Sequence, residues 1–223
     1  MIKDDFCLGY MPDGTGTAFP FDDVFKYSKN ILKEGMEDVD AIVLWGGEDI
    51  APSYYKEKRH SRNQSYTGHP SQRDKNEWKA MLYAKANGIP IIGVCRGAQF
   101  LCVFSGGKLI QHVDNHGRSH DINTSKGKTM VTSSCHHQMM FPYNTQHELL
   151  AWSTEPYSSI YEDENDLSIA GMKSLLEPEV VFFPQTRGLA IQGHPEWMDE
   201  RSEFIKYCNA LVREYLMVEE CVL

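Results

Sequence analysis

The sequence predicts an α/β layer fold built on a parallel sheet, because short apolar runs and helix-period segments alternate through its first half. Two glycine-bearing turns, Gly46-Gly47 and Gly93 to Gly97, each follow a run that reads as a buried strand. In open α/β sheets the ligand crevice lies at the carboxyl ends of the strands, so both turns stand where a site would be built. Size and balance agree: 223 residues, 41% apolar and 24% charged, can bury a full core and lack the composition of a disordered chain.

Taken in order, Phe6 to Tyr10 is a short strand. Phe21 to Lys33 carries Phe21, Val24, Phe25, Tyr27, Ile31 and Leu32 at roughly helical spacing and predicts a helix. Ala41 to Trp45 is a compact apolar run ending on Gly46-Gly47, a buried strand and its turn. Ser71 stands three residues before Asp74 in a capping-box arrangement; Trp78, Met81, Leu82 and Lys85 continue that helix until Gly88 closes it. Ile89 to Val94 is a second buried strand, and Gly97 to Phe104 a helix that halts at Gly106-Gly107. The second half is strand-rich, with Thr129 to Ser133, Glu148 to Ser153, Glu179 to Phe183 and Leu189 to Gln192. Residues 154 to 178 are acidic, Ser-rich and irregular, which predicts a surface excursion, and a last helix is expected from about Glu200 to Val218. No internal repeat or long linker interrupts the chain, so one domain over 1–223 is expected.

Charge narrows the function. With 22 Lys plus Arg against 31 Asp plus Glu, the net charge is −9, and no basic run or aromatic-basic stripe offers phosphates a footing. Nucleic acid is not an expected partner. No apolar run approaches the roughly 18 to 20 residues that span a bilayer, and the charged start Met1 to Asp5 lacks a signal peptide's apolar stretch. No membrane association and a cytoplasmic location are therefore expected. The six cysteines (Cys7, Cys95, Cys102, Cys135, Cys208, Cys221) are scattered without a C-x-x-C pair, which predicts reduced thiols.

Gly93-Val94-Cys95-Arg96-Gly97 ends a strand and opens a helix, the thiol counterpart of a nucleophile elbow. A cysteine there sits at a helix N-terminus, which favours the thiolate, and beside a backbone N–H able to cradle an oxyanion. The competing reading is a small buried hydrophobe after a strand. An ordinary thiol is mostly protonated at neutral pH, so a nucleophile needs a base. Gly193-His194-Pro195-Glu196 follows the strand Leu189 to Gln192, and in extended chain residues i and i+2 share a side. Glu196 can then take one ring N–H of His194, leaving the other nitrogen for the proton of Cys95. Alone, such a tripeptide is weak evidence, since a histidine at a strand end is more often a surface turn residue; the cysteine elbow about a hundred residues upstream makes the triad the better reading.

His112, His116 and His120, with Asp114 and Asp121, would bind a metal if the segment were helical. Asp114 to His120 reads as a loop with solvated or substrate-proximal histidines instead, so no metal and no cofactor are expected. Arg73, Asp74 and Glu77 read as a charged helix start, with capping and surface ion pairs preferred to a substrate role.

With these residues in place, the chain resembles the class I glutamine amidotransferase-like superfamily, and within it the gamma-glutamyl hydrolases that act on gamma-glutamyl amides such as gamma-glutamyl-aminobutyrate. The resemblance runs from about residue 40 to 210. It rests on Gly46-Gly47-Glu48-Asp49 with Pro52 and Tyr55, Arg73-Asp74 with Glu77, and Ile92 to Gln99. Gly106 to Leu109, Ser134 to Gln138 and Ile191 to Trp197 complete it. It implies a flavodoxin-like three-layer α/β fold with a central, mostly parallel sheet and a strand-rich second half.

The resemblance also implies roles. Cys95 would be the nucleophile, His194 the general base and acid, and Glu196 its orienter. Backbone N–H groups of Gly47 and Arg96 would form the oxyanion hole, Gln99 would help hold the glutamyl group, and Ser134, His136, His137 and Gln138 would wall the substrate's α-amino and α-carboxylate ends. Gly193 and Ser133 depart from the family pattern, where bulkier residues and Asn are common, and Gly193 implies a wider pocket or a looser histidine. The segment before residue 40 is shorter than in the family. The implied partner is a small molecule with a gamma-glutamyl group. The alternative is a glutaminase subunit delivering ammonia to a separate synthetase or ligase chain, since this length would leave no room for an attached one. A third reading is a non-catalytic binding module of the same fold.

Overall fold

The computed structural model describes residues 5–11, 18–65 and 67–217. Its first half supplies β1 (Phe6–Tyr10), β2 (Phe25–Asn30), the short α1 (Ile31–Glu34) and β3 (Ala41–Leu44). α2 (Gln72–Ala86), β4 (Ile91–Val94) and α3 (Arg96–Phe104) follow. The second half supplies β5 (Lys108–Ile110), β6 (His112–Val113), β7 (His120–Thr124), β8 (Thr129–Thr132) and β9 (Met139–Phe141). β10 (Glu148–Ser153), β11 (Tyr161–Glu162), β12 (Pro178–Phe183), β13 (Gly188–Ile191) and α4 (Glu203–Leu211) complete the list. Nine strands form one sheet in the order β2-β1-β3-β4-β13-β12-β10-β7-β8. From β2 to β13 neighbours are parallel, and from β13 to β8 they are antiparallel. The sheet is thus a parallel body with a hairpin-built extension, as the strand-rich second half leads one to expect.

The central strands read as continuous apolar runs because both of their faces are covered. Strand alternation divides each run between two cores. Ala41 and Val43 of β3, with Ile92 and Val94 of β4, pack toward Phe204, Cys208 and Leu211 of α4. Ile42, Leu44 and Ile91 pack on the opposite face with Met81 and Ala84 of α2 and Ala98 and Leu101 of α3. That is the expected three-layer arrangement. The capping box is present at Ser71 and Asp74, and Gly88 takes a left-handed φ of 67° just after α2.

Three expectations are corrected. The segment 21–33 is not one helix: Phe25–Asn30 is the edge strand β2, and only Ile31–Glu34 is helical. Phe21, Val24 and Phe25 are buried, but Tyr27 and Leu32 are 60% and 47% exposed, so the helical stripe never becomes a single buried face. Parallel pairing with β1 satisfies the backbone instead. Residues 154–178 are not simply a surface excursion, because Ser158, Tyr161, Met172 and Glu177 are buried. β11 pairs with β6, and the Glu177 carboxylate accepts from the backbone N–H groups of Tyr157 and Ser158 and the Tyr161 hydroxyl. The last helix is α-helical only over Glu203–Leu211 and passes into a π-helical turn over Val212–Leu216. Val218 and Cys221 lie outside the described residues, as do Met1 to Asp4. No helix among the described residues is long and apolar enough to cross a membrane.

Two glycines let β4, α3 and β3 approach. A Cβ on Gly97 would collide with the Leu44 carbonyl, and one on Gly93 would lie 2.5 Å from the Gly97 carbonyl oxygen. Overpacking of this kind costs about 1–3 kcal/mol or more. Gly97→Ala is accordingly expected to lower stability by at least that amount in denaturant titration, whereas Gly117→Ala, which meets no atom within 4 Å, is expected to stay within about 0.5 kcal/mol of the parent.

Candidate active site

β4 delivers Cys95 at its carboxyl end, and α3 begins at the next residue. The turn holds Cys95 at φ 51°, ψ −108°, a left-handed backbone that a side-chain-bearing residue adopts only when its surroundings enforce it. They do so through the Cys95 N–H, which donates to Ile191 O at 2.8 Å, through the Cys95 carbonyl, which accepts from Gln99 N at 3.0 Å, and through the close approach at Gly93 and Gly97. The elbow predicted from five residues is therefore real. Cys95 is only 6% exposed. Burial pushes its thiol up to about 12; the adjacent Arg96 N–H pulls the other way, and the Glu196 carboxylate adds to the rise.

Parallel pairing of β4 with β13 puts Ile191 opposite Val94, so the segment after β13 emerges beside Cys95. His194 and Glu196 lie there, on a 3₁₀ turn over Pro195–Trp197. His194 Nδ1 and Glu196 Oε1 are 2.8 Å apart, while the buried Nε2 has no hydrogen-bond partner. Gly46 reports how closely the groups converge: a methyl added there would lie 2.8 Å from His194 Cε1 and 3.6 Å from Cys95 Cβ. Cys95, His194 and Glu196 are thus brought together as the sequence predicts.

The histidine is clamped on both sides. Ser133 Oγ accepts from His194 N at 3.1 Å and donates to His194 O at 2.5 Å. The Trp197 ring stacks on the imidazole with centroids 3.6 Å apart and planes 2° from parallel. The expectation of a wider pocket or looser histidine at Gly193 is corrected by the same geometry. The space a Cβ would need there is filled by the Thr132 hydroxyl and the Ser133 carbonyl, so the glycine allows β8's end to pack against the histidine segment.

Gly46-Gly47 follows β3, and Gly47 adopts φ 149° with the Arg73 guanidinium where a side chain would go. Arg73 Nη2 donates to the carbonyls of Trp45 and Gly46 at 2.9 and 3.0 Å, and its Nε donates to Glu77 at 2.9 Å. Arg96, at the start of α3, pairs with both Glu77 and Asp74. These are not surface ion pairs: Asp74, Glu77 and Arg96 are 2%, 1% and 2% exposed. The capping role of Asp74 stands, but the cluster also joins α2 to the glycine turn and to the elbow. The i, i+3 spacing of Asp74 and Glu77 on one face of a helix was the available signal. A cleft of about 490 Å³ opens here, lined by Gly47, Asp49, Ser65, Thr67, Arg73 and Arg96.

The segment 134–138 reaches the site mainly through its backbone. The Cys135 carbonyl oxygen is 4.0 Å from Cys95 Sγ, a contact that no sequence motif marked. Ser134 Oγ donates to His116 O, His136 Nδ1 donates to Gln138 O, His137 Nε2 pairs with Asp49, and Gln138 Nε2 donates to Gln111 O. Gln99 is buried on α3, and its amide donates to Gln138 O at 2.8 Å, bracing this wall. His112, His116 and His120 do not lie on one helix, since β6 and β7 hold the first and last. All three are buried rather than solvated, because the segment carrying Glu177 folds over them.

With this geometry established, a sequence comparison identifies the chain's class. Residues 17–170 match the Peptidase C26 family. YvdE of Lactococcus lactis subsp. lactis, named a glutamine amidotransferase-like protein, is 30% identical over 183 residues, covering 78% of this chain and 73% of its own. A glutamine amidotransferase-like protein of Rickettsia prowazekii is 36% identical over 93 residues, but the match spans only 32% of that relative and 41% of this chain. The crystal structure of a glutamine amidotransferase from Thermotoga maritima superposes with a TM-score of 0.55 at 13% identity, covering 96% of each chain, a likeness of fold. The fold and the sequence matches are those of the class I glutamine amidotransferase-like superfamily. This chain belongs to its Peptidase C26 family.

Two outcomes follow. Arg96→Met leaves two buried carboxylates short of their partner, and a loss of about 3–5 kcal/mol is expected in denaturant titration. The second concerns alkaline pH. Burial holds Cys95 and Cys102 up at about 12, while an unfolded thiol ionises near 8.5. Above about pH 8.5 the unfolded chain releases protons that the folded chain retains. Stability present below that pH should therefore fall as pH rises toward 12, with a slope of up to about 1.4 kcal/mol per unit for each thiol. Urea midpoints measured between pH 8 and 11 should drop, and less steeply in Cys95→Ala.

Proposed function

We propose that this protein is a cysteine-dependent hydrolase that cleaves the gamma-glutamyl amide bond of glutamine or a gamma-glutamyl-amine through a glutamyl thioester. The observation that carries the reading is the pairing of a left-handed Cys95 elbow with a His194 whose Nδ1 is held by Glu196 and whose sealed Nε2 has no partner. Because burial opposes the thiolate of Cys95, His194 is assigned the role of general base during attack. Nε2 takes the Sγ proton as sulfur attacks the side-chain carbonyl, and Glu196 stabilises the imidazolium that results. The N–H groups of Gly47 and Arg96 receive the oxyanion. His194 then protonates the departing ammonia or amine. Water, activated by the same nitrogen, hydrolyses the thioester and releases glutamate. In this reading Gln99 and the Ser134, His136, His137 and Gln138 wall shape the glutamyl subsite chiefly by aligning backbone groups such as the Cys135 carbonyl.

A second reading, a glutaminase subunit that passes ammonia to a separate synthetase chain, is favoured by one feature. Cys95 is only 6% exposed, so a partner chain that opened the site would switch it on.

Purified protein assayed with glutamine and a panel of gamma-glutamyl amides should release glutamate and a free amine. Cys95→Ala should abolish turnover while the melting curve stays close to the parent's. Glu196→Gln should lower kcat by about 10²- to 10⁴-fold. Full turnover by Cys95→Ala would refute the mechanism. Turnover appearing only when a synthetase chain is added would select the subunit reading.

A further inference from the structure

One cluster reaches beyond the reaction proposed above: buried His116 and Glu179 lie behind the active-site wall, and half-buried His136 belongs to that wall. His116, His136 and Glu179 each direct a ligand atom into one space, and these atoms all lie within 4.8 Å of one another. His116 comes from the loop between β6 and β7, His136 from the wall segment before β9, and Glu179 from β12. Their sequence separation hid them, since the spacing rule considers neighbours such as His112, His116 and His120. We propose that His116, His136 and Glu179 form a buried binding site for a divalent transition metal of the zinc class.

The first argument is satisfaction of polar groups. His136 Nε2, Glu179 Oε2 and both ring nitrogens of His116 are sealed from solvent without a hydrogen-bond partner. His116 and Glu179 are 1% and 0% exposed. Each unmade bond on a buried polar group costs about 1–3 kcal/mol, more for a charged one, so several such atoms facing one another call for a shared cation. One metal ion would answer His136 Nε2, Glu179 Oε2 and one ring nitrogen of His116, whose Nε2 already faces Glu177 Oε2 at 3.4 Å.

The second argument is that the surroundings already hold each ligand as a metal site's outer partners do. His136 donates Nδ1–H to Gln138 O at 2.9 Å, which leaves Nε2 with its lone pair free. Glu179 Oε1 is occupied by His120 Nε2 at 2.9 Å and by the Ser153 hydroxyl at 3.3 Å, leaving Oε2 free. Glu177 Oε2 stands 3.4 Å from His116 Nε2, and its carboxylate is anchored by Tyr157 N, Ser158 N and the Tyr161 hydroxyl. The His116 and His136 rings stack, with centroids 4.5 Å apart and planes 27° from parallel.

Chemistry selects the ion. Two imidazoles and one carboxylate suit zinc, cobalt or nickel, whereas magnesium and calcium prefer all-oxygen cages. Bonds of about 2.0–2.2 Å in a tetrahedral site place ligand atoms roughly 3.3 Å apart. Closing from 4.8 Å or less asks each ligand atom to move by under about 1 Å, and the stacked His116 and His136 rings, 27° from parallel, to turn so that their in-plane lone pairs converge. Three protein ligands leave a fourth position for water. His136 adjoins Cys135, whose carbonyl faces Cys95 Sγ at 4.0 Å, so the ion would also stiffen the wall of the active site.

The test is metal binding by the full chain, read independently of turnover. Chelator-stripped protein is titrated with Zn²⁺ and with Co²⁺, bound metal is counted after gel filtration, and melting temperature and the visible cobalt spectrum are recorded. The expected result is about one equivalent per chain, a raised melting temperature, and tetrahedral cobalt bands without the charge-transfer band of a thiolate ligand. Glu179→Gln, which keeps the bond to His120, and His136→Asn should each weaken binding by about 10- to 100-fold, while Cys95→Ala should bind as the parent does. No stoichiometric binding by the parent overturns the proposal, as does binding that survives both ligand substitutions or disappears in Cys95→Ala. Should either ligand variant fail to fold, the parent's cobalt spectrum decides: a thiolate band or an octahedral spectrum overturns the site.

Discussion

The site depends first on a set of four charges beside it, of which Asp74, Glu77 and Arg96 are buried and Arg73 is half-buried. Arg73 and Arg96 share the carboxylates of Asp74 and Glu77, and through them α2 is tied to the turn after β3 and to the elbow after β4. Burying such charges is costly unless each is paired and hydrogen-bonded. Here the two guanidinium groups use their several donors to satisfy both carboxylates and two backbone carbonyls. The result is directional: pinning the Trp45 and Gly46 carbonyls fixes the peptide planes around Gly47, and holding Arg96 at the first position of α3 fixes the N–H beside Cys95. A shift in this cluster would displace the Gly47 and Arg96 N–H groups together.

Above that foundation, three parallel strands end at one edge. β3 brings the glycine turn, β4 the cysteine, and β13 the histidine with its carboxylate, so separation in sequence becomes adjacency across the sheet. The antiparallel extension supplies the remaining wall: the end of β8 clamps His194 through Ser133, and the following segment places the Cys135 carbonyl against the sulfur. Tight steric fits at Gly46, Gly93, Gly97 and Gly193 hold these pieces together. The buried thiol belongs to the same design, since close packing removes water from the sulfur and burial then opposes its ionisation.

Much of this was legible beforehand where the signal is local. The runs at Ala41 and Ile89 announced buried strands because both faces of a central strand must be apolar, and the Ser71 and Asp74 pair announced a helix start because capping is satisfied within one turn. The elbow and His-Pro-Glu were legible for the same reason: strand-to-turn geometry is set within five residues. The edge strand β2 was misread because Phe21, Val24, Phe25, Tyr27, Ile31 and Leu32 imitate a helical period, and only the neighbouring β1 decides that Tyr27 and Leu32 face outward. The histidines were misread for a related reason. Their burial comes from a carboxylate-bearing segment about 60 residues downstream, which no local period anticipates.

The sequence by itself therefore determined the layer architecture, the elbow at Cys95 and the histidine–carboxylate pair, since these arise from short-range sterics and from patterns of apolar residues. Only the tertiary structure decided which charges are buried, which wall residues present backbone rather than side chain, and which histidines meet Glu179. Those outcomes depend on contacts between distant segments, where desolvation and the fit of one surface against another set the balance.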